Sequence, residues 1–197
     1  MTGGSVAALA EDTVILGFGD SLMAGYGLPQ NESFPDQLQQ ALRDKGYAVA
    51  VVNAGVSGDT SAGGLSRMDW ALADSPDIVL LELGANDGLR GLDPAQTKAN
   101  LAGMIEKSQA SGAVVILAGM MAPRNLGADY AEEFDAMYPA LAETYPNILF
   151  YPFFLEGVAA EPALNQVDGI HPNDAGVSVI VTNILPILEQ ALQRVQE

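Results

Sequence analysis

The feature that most constrains this chain is the alternation of short, nearly continuous apolar runs with longer amphipathic stretches. The runs lie at Thr13 to Gly19, Ala48 to Asn53, Asp77 to Leu83, Ala113 to Ala118 and Asn147 to Tyr151. A strand with one wet face alternates apolar and polar residues, whereas a strand covered on both faces has no polar register to keep. The runs therefore read as strands buried on both faces, and the segments between them must supply the cover. Asp93-Pro94-Ala95-Gln96 offers an N-cap acceptor, a proline at the first helical position and a glutamine three residues after the cap. Leu101, Met104 and Ile105 follow as the buried stripe. Tyr130, Phe134, Met137, Leu141 and Tyr145 recur three or four residues apart and predict another helix, kinked at Pro139. A last helix from about Asp174 presents Val177, Ile180, Ile184, Leu188 and Leu192, with a bend at Pro186. Five strands alternating with helices predict a five-stranded parallel sheet covered on both sides, an α/β three-layer α/β/α sandwich. In such a sheet ligands bind beyond the carboxyl ends of the strands, so the residues after each strand are the functional candidates.

No repeat, linker or low-complexity block divides the 197 residues, 49% of them hydrophobic. A chain of this length buries roughly 70% of its unfolded surface, enough for one full core. Residues 1–12 read as a leader and 13–197 as a single domain. Ala8-Leu9-Ala10 resembles an export-signal processing site, although no cationic start or long apolar stretch precedes it. A periplasmic or secreted location is the expectation from it, with a cytoplasmic one as the alternative. The longest apolar run, Ala113 to Ala122, falls short of the roughly 20 residues of a spanning helix, so stable membrane insertion is not expected.

Composition excludes several chemistries. Eight Lys and Arg against 25 Asp and Glu give a net charge of −17, which leaves no basic face for nucleic acid or an anionic membrane. The absence of Cys removes disulfides, thiol nucleophiles, cysteine zinc sites and iron–sulfur clusters. A single His rules out a multi-histidine metal site and concentrates any imidazole chemistry on His171. No metal or cofactor is expected.

Four polar clusters follow the strand candidates. The first strand runs into Gly19-Asp20-Ser21-Leu22. A GxGxxG fingerprint fails there because Leu22 replaces the third glycine, and neither a P-loop lysine nor a G-x-S-x-G elbow is present. Ser21 is either a turn residue or a serine displayed at the sheet edge. Asn53 to Ser61 is a small-residue loop, a plain connection or one whose backbone amides approach a ligand. Gly84-Ala85-Asn86-Asp87-Gly88 places an amide at the same edge, as a turn residue or an oxyanion donor. Asp168-Gly169-Ile170-His171-Pro172 sets the sole His three residues after an Asp, as a capping turn or as an oriented base. Together Ser, His and Asp supply nucleophile, base and orienter, and Gly and Asn supply anion donors. A carboxylate pair such as Asp20 and Asp87 would suit a glycosidase if the two stood about 5 to 9.5 Å apart across a cleft.

These blocks resemble the SGNH/GDSL hydrolases, matching Gly19-Asp20-Ser21, Gly58, Gly84-Ala85-Asn86-Asp87 and Asp168-Gly169-Ile170-His171-Pro172. Gly19 to Tyr26, Ser57 to Thr60 and Glu82 to Gly91 look most like the bacterial thioesterase I and arylesterase group. The resemblance implies a flavodoxin-like fold and metal-free hydrolysis through an acyl-enzyme. Ser21 would be the nucleophile, His171 the base and then acid, and Asp168 its orienter. The Ser21 and Gly58 amides and the Asn86 side chain would form the oxyanion hole. The segment Gly119 to Gly127 aligns with the loop that contacts the acyl chain, which makes Met120, Met121 and Leu126 candidates for a substrate wall. Substrates would be small-molecule esters or thioesters, with thioesterase or lysophospholipase side activity. The charge of −17 favours neutral short- to medium-chain or aryl esters over polyanionic acyl-CoA, locally offset by Arg90 and Arg124. A non-catalytic ligand-binding module on the same scaffold is the second reading. Trp70 is expected to pack inside, and Glu132-Glu133 to form a solvated helix face. The sequence leaves the oligomeric state open.

Overall fold

The computed structural model describes residues 12–196. The proposed leader falls almost wholly outside the described residues, and with it Ala8-Leu9-Ala10. Five strands, β1 (Thr13–Gly19), β2 (Val49–Gly55), β3 (Ile78–Glu82), β4 (Val114–Ala118) and β5 (Leu149–Tyr151), pair in parallel in the order β2-β1-β3-β4-β5. Among the described residues there are seven helices, α1 (Ser21–Ala24), α2 (Phe34–Asp44), α3 (Ser61–Ala71), α4 (Ala85–Leu89), α5 (Pro94–Ala110), α6 (Ala128–Thr144) and α7 (Asp174–Val195). Helices α2 and α7 pack together on one face of the sheet, and α3, α5 and α6 in sequence on the other. This is the three-layer α/β/α sandwich.

Every residue of β3 is buried, as are Ile15, Leu16 and Phe18 of β1 and Val115 to Ala118 of β4. The edge strand β2 departs from the expectation of burial on both faces. Val52 is 46% exposed and Asn53 is exposed, because β2 is the outermost strand and no further strand flanks it. Trp70 likewise does not pack inside, being 79% exposed. Helix α3 buries Ser61, Gly64, Met68 and Ala71, a stripe three or four residues apart. Trp70 stands two residues past Met68, about 200° around the helix, and so points outward. Glu132 and Glu133 are exposed on α6. Helices α6 and α7 continue through Pro139 and Pro186. Helix α7, with 22 residues, is long and apolar enough by composition to cross a membrane, which the continuous-run criterion overlooks. Its apolar stripe from Val177 to Leu192 is buried, with the helix packed on β3, β4 and β5.

The strand order reverses direction between β1 and β3, since the chain goes outward from β1 to β2 and returns to β3 on the other side. At that switch point the crossover helices diverge and leave a crevice beyond the strand ends. Ser21 follows β1 and Asn86 follows β3, so both open on it.

Candidate active site

The nucleophile candidate sits where β1 becomes α1. Asp20 caps the short helix by accepting from the Leu22 amide at 3.0 Å, and Ser21 is its first residue. Ser21 Oγ lies 2.9 Å from His171 Nε2, and His171 Nδ1 lies 2.7 Å from Asp168 Oδ2. These contacts require Nδ1 to carry the proton toward Asp168, leaving Nε2 to accept from the serine hydroxyl. The other Asp168 oxygen accepts from the backbone amides of Ile170 and His171, each at 3.0 Å. The hydrogen bond from the His171 ring, then those two amides, lower the Asp168 carboxyl to about 2.

The His171 loop is held from both sides. Gln166 donates to the carbonyls of Tyr26 at 2.7 Å and Pro172 at 2.9 Å, and the Tyr26 ring lies against the imidazole with centroids 4.7 Å apart. Asn173, not His171, caps α7 through the Gly176 amide at 3.0 Å. The capping role considered for this loop therefore belongs to Asn173, just beyond Pro172, and the imidazole is left to face Ser21.

Gly58 and Asn86 stand at the ends of the flanking connections. Gly58 has a φ of +80°, a region open to glycine at little cost, and its carbonyl accepts from Arg90 Nη2 at 2.8 Å. Gly84, with φ of +118°, lets β3 turn directly into α4, which carries Asn86. Among the described residues neither the Ser21 nor the Gly58 amide donates to a backbone or side-chain acceptor within the protein. Asn86 Nδ2 donates to Asp20 Oδ2 at 3.0 Å. The structure thus brings Ser21, Gly58, Asn86 and His171 to one cleft of about 660 Å³, with Asp168 behind the imidazole.

The cleft walls are mainly apolar. Met120 and Met121 line it, whereas Leu126 does not and instead lies beside Gly91, in the 3₁₀ turn Arg124–Leu126. Wall residues that the sequence reading missed are Tyr26, Leu89, Phe153 and Leu155. The apolar Phe153 and Leu155 just beyond β5 were the available signal. Arg124 stands at the mouth, paired with Asp135 at 2.8 Å. A second groove between α2 and α7, about 570 Å³, is lined by polar side chains such as Gln37, Gln40 and Asp44 and contains none of the strand-end residues. Among the described residues no three His, Asp or Glu side chains converge as metal ligands would.

Arg67 and Glu82 were not singled out from sequence, and Asp87 takes a different place from the carboxylate pair considered for it. Arg67 of α3 donates to Gly19 O at 2.9 Å, Ala54 O at 2.8 Å and Asp59 Oδ2 at 2.7 Å, tying the ends of β1 and β2 to the Gly58 loop. Its guanidinium also covers the Phe18 ring at 3.9 Å. Asp87 accepts from the amide and hydroxyl of Ser61 at 2.8 and 2.5 Å and from the Thr97 hydroxyl at 3.1 Å. It therefore faces α3 and α5, outside the cleft, so Asp20 and Asp87 do not flank a common substrate space. Glu82, fully buried at the end of β3, accepts from the Asp20 amide at 3.3 Å, and its Oε1 has no partner among the described residues. Burial and the neighbouring Asp20 carboxyl push the Glu82 carboxyl well above the usual carboxylate range. Burial likewise raises Asp20 to about 6, against the opposing bonds from Leu22 and Asn86.

Residues 18–179 match the model of the GDSL-like Lipase/Acylhydrolase family. The chain is 46% identical over 184 residues to an esterase, TesA, of Pseudomonas aeruginosa, covering 93% of this chain and 91% of that one. It is 42% identical over 167 residues to thioesterase 1/protease 1/lysophospholipase L1 of Escherichia coli, covering 84% and 78%. Among solved structures, it superposes on AlinE4, an SGNH-hydrolase family esterase, with a TM-score of 0.78 and 48% identity, over 94% of this chain and 99% of the other.

Proposed function

Because the chain belongs to the GDSL-like lipase/acylhydrolase family and is a serine esterase acting on small-molecule esters, we propose that Ser21, His171 and Asp168 are its triad. The observation that carries this is the unbroken relay from Ser21 Oγ to His171 Nε2 at 2.9 Å and from His171 Nδ1 to Asp168 at 2.7 Å, opening into the apolar cleft. Ser21 Oγ attacks the substrate carbonyl carbon while its proton passes to His171 Nε2. Asp168 stays ionised, fixes the imidazole tautomer and stabilises the imidazolium. The carbonyl oxygen becomes an anion held by the Ser21 and Gly58 amides and Asn86 Nδ2. Collapse breaks the ester or thioester bond, and His171 returns its proton to the departing alcohol or thiol. Water, deprotonated by His171, then releases the acid from Ser21.

The preferred substrates in this proposal are neutral short- to medium-chain esters. The apolar cleft walls and the net charge of −17 support that choice. The Ala8-Leu9-Ala10 tripeptide favours export to the periplasm, which fractionation and N-terminal sequencing of the expressed protein test.

The deciding experiment is hydrolysis of p-nitrophenyl esters from acetate to palmitate by wild type and Ser21→Ala, with chelator present. Serine loss should lower kcat by about 10⁴- to 10⁶-fold, with wild-type activity surviving chelation and peaking at short to medium chains. Equal rates in the two proteins would remove Ser21 from the chemistry.

A further inference from the structure

An oxyanion hole that uses an asparagine side chain contains an ambiguity that backbone donors do not. The two ends of a carboxamide have nearly the same shape, but only the nitrogen end can donate to an anion. Reversing the amide would replace a donor with lone pairs at the point where negative charge develops. Something must therefore distinguish the ends of Asn86. Among the described residues its side chain makes one hydrogen bond, from Nδ2 to Asp20 Oδ2 at 3.0 Å.

We propose that Asp20 is a positioning residue, whose carboxylate holds Asn86 with its nitrogen end facing the oxyanion hole. A carboxylate only accepts, so it can bind Nδ2 and never Oδ1. Of the two Nδ2 protons, one goes to Asp20 and the other remains for the substrate oxygen. The remaining Asp20 oxygen accepts from the Leu22 amide at 3.0 Å, in the turn that begins with Ser21. One carboxylate thus links the nucleophile's turn to the side-chain donor across the switch point between β1 and β3. Asp20 is itself held by the hydrogen bond its backbone N–H donates to Glu82 and is 1% exposed, so water does not compete for Asn86 from that side. The inference rests on the proposed roles of Ser21 and Asn86.

The competing role is an ordinary helix cap, and Asp20→Asn separates the two, since Asn caps as well as Asp. With its oxygen on the Leu22 amide, the new side chain turns an NH₂ group toward Asn86 Nδ2. Asn86 must reverse to accept from it, and the hole loses a donor. The expected result for p-nitrophenyl butyrate is a fall in kcat of about 10²- to 10³-fold, with KM within about threefold of wild type. A double-mutant cycle supplies the decisive readout. Asn86→Ala should fall by a similar factor, and Asp20→Asn added to it should cost nothing more. Asp20→Ser, which caps but is too short to reach Asn86, provides a second route, and its loss should also vanish beside Asn86→Ala. A fall of less than tenfold in Asp20→Asn, or effects that multiply in the double variants, would overturn the proposal. Ser21→Ala in the same assay distinguishes the two levels of failure. If it is inactive while Asp20→Asn behaves as wild type, only the positioning role is lost, whereas retained turnover in Ser21→Ala removes the site reading and this inference together.

Discussion

Asp168 and Asp20 each bond a side chain of the proposed site, His171 and Asn86, yet their surroundings drive them in opposite directions. Asp168 collects a ring N–H and two backbone amides, which hold it at about 2. Its folded-state value lies below the unfolded one, so its contribution to stability is present above about pH 4 and fades as pH falls toward 2. Asp168→Asn keeps the shape but removes the acceptor that fixes the imidazole tautomer, and should lower kcat by about 10⁴-fold, with a melting temperature below wild type at pH 7 and close to it near pH 2. Asp20, at about 6, has the opposite sign. Burial dominates, against the bonds from Leu22 and Asn86 and then the charge of His171, with Asp59 adding a little to it. Stability should therefore drop as pH rises from about 4 to 6, by about 3 kcal/mol at most. Asp20→Asn escapes that loss. By calorimetry it should melt higher than wild type at pH 8 and alike at pH 4, so that stability rises as activity falls. Equal melting temperatures at both pH values would show that ionising Asp20 costs the fold nothing. The residues of this pair were legible to different degrees. Asp20 lay inside the Gly-Asp-Ser block, whereas Glu82 beneath it was unremarkable within a run that otherwise read as strand.

At the level of elements, the site depends on two helices too short to announce themselves. Helices α1 and α4 have four and five residues, less than the length over which an apolar period can be counted. The five strands and the long helices were legible because each repeats a burial pattern over enough residues, and β1 matches its expected span from Thr13 to Gly19. The exposure of β2 was not, since its apolar run cannot reveal which strand ends up at the sheet edge. Helix α4 takes its place from Asp87, which joins Ser61 at the start of α3 to Thr97 in the first turn of α5. Asp87→Ala would leave the buried Ser61 amide and hydroxyl without their acceptor, at a cost of about 3 kcal/mol, while Thr97 keeps the Asp93 carbonyl. The melting temperature should fall by about 6 to 12 °C, with kcat reduced as well because Gly58 and Asn86 both border this junction. A variant that melted like wild type would show that α4 is held by its apolar contacts instead.

For the whole molecule, charge and cleft act at different ranges. The excess of 25 acidic over eight basic side chains produces a field that salt confines to about 8 to 10 Å. It should slow the encounter with a polyanionic acyl-CoA but not with a neutral thioester of the same acyl chain. Their ratio of kcat/KM should rise toward the neutral substrate at low ionic strength and relax as salt is added. Equal rates at low salt would show that local cations such as Arg124 outweigh the distant acids. The acidic balance was plain in the composition, whereas the cleft walls were not, because Tyr26, Leu89 and Phe153 meet only through the fold. The outward position of Trp70, the chain's sole tryptophan, also determines how the protein appears to a fluorimeter. Its indole already sits in water before unfolding begins. Native emission should be red-shifted and open to iodide quenching, and a denaturation curve followed by that signal would stay nearly flat while the sheet comes apart.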